Sequence, residues 1–133
     1  MVGRHLLKSW STTQATVAMS SAEAEFHAMV EGATRSLGFR SMVMELGVNM
    51  DIVIWTDSSA AKSFASQRGL KRMRHLEVTE LWLQEEVCRG RLQIGKIAGT
   101  ENPADILTKF LGRQDVLDAC LRMNVEIEHI LRC

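Results

Sequence analysis

The stretch Asp51-Ile-Val-Ile-Trp-Thr56, followed without a gap by Asp57-Ser-Ser-Ala-Ala, constrains this chain more than any other. A short, β-branched, nearly continuous apolar run is the pattern of a strand buried on both faces. The small residues behind Asp57 read as the start of a helix. A buried strand feeding directly into a helix belongs to the α/β class, in which strands and helices alternate.

The remaining segments fit that alternation. Leu6 to Ser20 is β-leaning and ends in a cluster of Ser, Thr and Ala. Ser20-Ser-Ala-Glu23 then has the form of a capping box, a hydroxyl at the N-cap and a Glu three residues later. Phe26, Met29, Val30, Ala33 and Leu37 recur at helical spacing, so a long helix is expected to run to Leu46, with Gly47 as its stop. Gly32 and Gly38 lie inside that pattern and are expected to kink or fray it. A helix after Asp57 should end before Gly69. Leu76, Leu81, Trp82, Leu83 and Val87 mark another, closing at Gly90, and Arg91 to Ile97 reads as a second strand. Asn102 and Pro103, the one proline in the chain, are placed as N-cap and first residue of a further helix. Asp115 is the expected cap of a last one.

Composition excludes several classes. Sixteen Lys and Arg balance sixteen Asp and Glu, so the chain is not a polycation that binds nucleic acid by bulk charge. Apolar residues make up 46% of 133, enough for a packed core and too many for a disordered chain. No apolar run approaches the ~20 residues of a membrane span, and the first residues carry no signal-peptide pattern. Cys88, Cys120 and Cys133 are odd in number and widely spaced, fitting neither a disulfide framework nor a zinc site. The expectation is an intracellular protein, in cytoplasm or nucleus, with reduced thiols. His5, His27, His75 and His129 show no metal-ligand spacing, and Trp10, Trp55 and Trp82 read as core residues.

Three acids stand apart by position. Asp57 closes the first strand, Glu25 lies near the start of the long helix, and Asp105 falls in the first turn after Pro103. Ligands of open α/β sheets gather outside the carboxyl ends of the strands. Hard oxygen donors converging there suit Mg²⁺, with Mn²⁺ as an alternative, and two such ions can support phosphodiester hydrolysis. Each acid also has a structural explanation: first-turn acids complement the helix dipole, Asp57 can serve as an N-cap, and Glu23 is the capping-box partner of Ser20. The run Lys62 to His75 contains Lys62, Arg68, Lys71, Arg72 and Arg74 and no acid. It can face a phosphate backbone, or it can be a solvated loop paired with Glu77, Glu80, Glu85 and Glu86.

Taken together, four blocks resemble one family. SWSTTQATVAMSSAEAEFHAMVEGA, VIWTDSSAAKSFAS, the R-x-x-H element opening RMRHLEVTELWLQEEVCRGRLQIGKIAGTENPADILTKFL, and that segment's final N-x-A-D-x-x-T-K box look like successive parts of the ribonuclease H domain of copia-type retrotransposon Pol polyproteins. The likeness covers roughly residues 3 to 111, in order. It implies a ribonuclease H-like fold, with helices flanking a mixed sheet, that cuts the RNA strand of RNA–DNA hybrids with Mg²⁺ and works beside the reverse transcriptase of Pol. The family uses four carboxylates in the order Asp, Glu, Asp, Asp. The second falls on Glu25, followed by an aromatic and then Ala28, with Glu23 as fallback; the third falls on Asp57 and the fourth on Asp105. Lys71, Arg72, Arg74 and His75 fall in a basic element facing the hybrid.

The family's first Asp lies on a strand well before Ser9-Trp10, where this chain has Met1-Val-Gly-Arg4. The fold is therefore expected to be incomplete, its first strand and most of its second missing, and the chain inactive alone. An unpaired strand edge of that kind invites pairing with another chain. Gly99-Thr-Glu101 also lacks the His that cellular relatives carry before the last Asp. Residues 1–112 are expected to form the partial domain and residues 113–133 a helical tail. The competing expectations are a non-catalytic remnant that binds nucleic acid, and a fragment that folds only with a partner.

Overall fold

In a computed structural model, the structure describes residues 1–13, 17–67 and 81–125. The order is α1 (Ser21–Glu45), β1 (Val53–Thr56), α2 (Ser59–Ala65), α3 (Trp82–Cys88), β2 (Gln93–Lys96), two 3-10 turns (Gly99–Glu101 and Pro103–Leu107) and α4 (Arg113–Arg122). The chain divides into two compact units, residues 14–97 and residues 1–13 with 98–133. Lys71, Arg72, Arg74, His75 and Leu76 lie outside the described residues.

The 14–97 unit is built on α1, and both ends of that helix follow from local chemistry. The Ser20 hydroxyl accepts the Glu23 N–H at 3.2 Å, and the Glu23 carboxylate reaches back to the Met19 N–H at 2.9 Å. Two donors that no helical carbonyl can reach are thereby satisfied. At the other end Gly47 has φ +80°, which costs a glycine little. Its N–H donates to the Met44 carbonyl and that of Val48 to Val43, closing the helix in a Schellman turn. The helix runs from Ser21 to Glu45 as one element through Gly32 and Gly38. A Cβ at Gly38 would meet open space. Gly38→Ala is therefore expected to stabilise the protein by about 0.5–1 kcal/mol, read as a higher thermal midpoint; a lower one would show a hidden clash.

Phe26, Met29 and Ala33 present one face of α1 to Ala61, Phe64 and Ala65 of α2, Leu83 of α3, and Leu92. Phe26 and Phe64 meet edge to face, with centroids 4.8 Å apart. Ile52, Ile54 and Ile94 pack against this cluster from the strands. β1 and β2 are parallel, with Ile54 opposite Ile94 and Trp55 opposite Gly95. The Gln84 side chain donates to the Phe64 carbonyl at 3.0 Å, satisfying a buried polar group near the end of α2.

Several expectations are corrected here. β1 is covered on one face only: Thr56 is buried, whereas Val53 is 39% and Trp55 61% exposed. The indole of Trp55 instead lies against Gly95, where a Cβ would come within 2.3 Å of the ring. Trp55 is thus not a core residue. Among the described residues the sheet is two parallel strands rather than a mixed one. The segment Leu6–Thr13 forms no strand, the described part of the amino-terminal arm pairing only at a Val2–His5 bridge. β-leaning residues become a strand only when a neighbour takes up their backbone groups.

In the other unit, the amino-terminal arm meets the end of α4. The Leu6 N–H donates to the Met123 carbonyl at 3.1 Å, and the Asn124 amide lies 2.9 Å from the His5 ring nitrogen. Asn102 accepts the Ala104 N–H and Pro103 opens the turn, as the sequence implies, but the turn is 3-10 rather than α. The N-cap of α4 is Gly112, with Asp115 inside the first turn, so Asp115 is not the cap. No described helix is long and apolar enough to cross a membrane.

Candidate functional site

Asp57 is positioned by the junction that ends β1. The Thr56 hydroxyl, buried, accepts the Ser58 N–H at 3.1 Å, and the Ser58 hydroxyl accepts the Ala61 N–H at 3.1 Å. Ser58 is therefore the N-cap of α2, and the expected structural explanation for Asp57 does not hold. Its carboxylate, half-buried at the carboxyl end of the strand, makes no hydrogen bond or ion pair among the described residues. The Asp57 carbonyl accepts from the Lys96 ammonium. Lys96 lies opposite Thr56 in the sheet register, so the strand ends carry one acid and one base side by side. Sequence reasoning missed Lys96, because its place depends on the register of two strands far apart in the chain.

Glu25 and Glu23 separate cleanly. Glu25 is exposed on α1, beside the core-facing Phe26. Glu23 is 7% exposed and committed to the capping box, with its other oxygen 3.8 Å from the His27 ring. The structural role expected for Glu23 is present: its carboxylate is taken up by the capping box.

Asp105 belongs to the other unit. The 3-10 turn begun by Pro103 carries it, and its carboxylate accepts from Lys109 at 2.7 Å. Lys109 is more than half exposed, so this pair contributes no more than about 1 kcal/mol and competes weakly with other ligands. Carboxylate oxygens are the donors Mg²⁺ prefers. Among the described residues, however, no group of three His, Cys, Asp or Glu side chains is placed to hold a metal ion. Of the basic run, only Lys62 is described, half-buried on α2.

What the geometry defines is an α/β protein with an acid, Asp57, at the end of a parallel strand and without a partner among the described residues. Its sequence is 34% identical, over 79% of the chain, to the retrovirus-related Pol polyprotein from transposon TNT 1-94 of Nicotiana tabacum. It is 27% identical, over 84% of the chain, to those from transposons RE1 and RE2 of Arabidopsis thaliana. The homologues of this protein are thus copia-type retrotransposon Pol polyproteins. The chain spans 8% of the length of each of these three. No family model and no solved structure matches it.

Proposed function

We propose that the chain is the part of a Pol ribonuclease H region that carries the second, third and fourth of its metal-binding carboxylates, Glu25, Asp57 and Asp105. The substrate of the whole region is the RNA strand of an RNA–DNA hybrid. The observation that carries this reading is the state of Asp57. A carboxylate at the end of a strand, relieved of capping by Ser58 and left without a partner among the described residues, is available for chemistry. The order of the motif blocks and the similarity to Pol polyproteins support it.

The first carboxylate of the set is not among these 133 residues, so the chain by itself is expected to leave a labelled RNA–DNA hybrid uncut in Mg²⁺ or Mn²⁺. Cleavage by the purified chain that disappears in Asp57→Asn would overturn that expectation.

The acid-free run from Lys62 to His75 carries a second reading, nucleic-acid binding without catalysis. It assigns the affinity to Lys71, Arg72, Arg74 and His75. Binding to a fluorescent hybrid should then weaken steeply with salt, log K falling by about 0.9 per phosphate contacted for each tenfold rise in salt. The double charge reversal Lys71→Glu, Arg72→Glu is expected to flatten that slope by about two contacts' worth. Salt-independent binding would remove this reading.

A further inference from the structure

The unit formed by residues 1–13 and 98–133 carries an open cleft of about 490 Å³ that none of the carboxylates lines. Its walls come from three places: Leu6 on the amino-terminal arm, Ile106 on the 3-10 turn, and Met123 and Val125 at the end of α4. Lys8 is the one charged side chain in the lining, and it forms no ion pair among the described residues. The Cys120 thiol, free and half-buried, completes the lining from α4. Ser9 and Trp10 also line it, and a concave, mostly apolar space of this size with a few polar groups is the usual form of a small-molecule site.

From these features we propose that the cleft binds an apolar monoanion, a hydrocarbon body with one carboxylate or sulfonate head. The body takes the place of water against Leu6, Ile106, Met123 and Val125, which is favourable in proportion to the apolar area covered. The head meets the Lys8 ammonium at the rim. A neutral molecule of the same shape gains only the first of these contributions, and a cationic one is opposed by Lys8. Charge therefore selects the ligand class, and the apolar walls supply most of the affinity.

Cys120 reports on occupancy from within the site, and exposed Cys88, on α3, serves as a reference. The purified chain is labelled with a maleimide in the presence of decanoate or decanol, and each cysteine is followed by peptide mass. Decanoate is expected to slow labelling of Cys120 and leave Cys88 unchanged, at concentrations about three- to fivefold below those at which decanol does so. Lys8→Met, which keeps an apolar stem and removes the charge, should erase the preference for decanoate, whereas Lys8→Arg should retain it. The proposal is overturned if decanol protects as well as decanoate, if both cysteines slow together, or if neither compound protects Cys120.

Discussion

Phe26→Ala is expected to destabilise the 14–97 unit by about 3–5 kcal/mol, read as a fall in the urea midpoint at constant slope. Phe26 is fully buried and stands edge-on to Phe64 at 86°. Removing its ring leaves a cavity bounded by α1 and α2, the two helices that supply six of the eight buried residues of the core. A small domain holds only about 5–15 kcal/mol in total, so the loss is a large share of what keeps it folded. Combining the change with Phe64→Leu isolates the ring–ring contact, expected to couple by about 0.5–1.5 kcal/mol. A loss below about 1 kcal/mol for Phe26→Ala would mean that this cluster is not a packed core.

Features governed by neighbours in the chain could be read from the sequence. The Ser20–Glu23 capping box, the Gly47 stop and the Asn102-Pro103 turn all depend on residues within a few positions of one another. The strands were also legible, as Asp51–Thr56 and Arg91–Ile97 enclose β1 and β2. What failed depends on tertiary partners. Val-Ile-Trp-Thr is apolar or β-branched at every position, so the pattern cannot show that Ile54 and Thr56 face the helices while Val53 and Trp55 do not. Periodicity separates the faces of a strand only when polar residues alternate with apolar ones. Ser58 and Gly112 took the caps expected of Asp57 and Asp115, because several eligible residues stand in a row and the backbone angle at the junction decides among them.

For the candidate site, the kinds of residue were legible and their arrangement was not. Glu25, Asp57 and Asp105 were singled out by position and by a resemblance resolved at single residues, and the capping duty expected of Glu23 is present. Nothing in the spacing of the blocks fixes distances between side chains, and Lys96 became visible only through the parallel register.

The adjacent residues Asp57 and Ser58 allow chemistry to be separated from stability. Joining the chain to the segment that precedes the matched region in the tobacco polyprotein is expected to give a protein that cuts RNA–DNA hybrids in Mg²⁺. In that protein Asp57→Asn should lower cleavage about a hundredfold or more, as loss of even an outer-shell contact at a metal site costs 10–100-fold. Its stability should change by no more than about 0.5 kcal/mol, since no described group is bonded to the carboxylate. Ser58→Ala should do the reverse. It strands the Ala61 N–H, costs about 1 kcal/mol, and leaves cleavage by the folded protein intact. Full cleavage by the Asp57→Asn protein would remove Asp57 from the reaction. A joined protein that never cuts, yet binds hybrid in a salt-dependent way, would leave the non-catalytic reading in its place. The paired variants decide because the two side chains are neighbours with separate duties: the hydroxyl holds the helix end, and the carboxylate has no structural duty among the described residues.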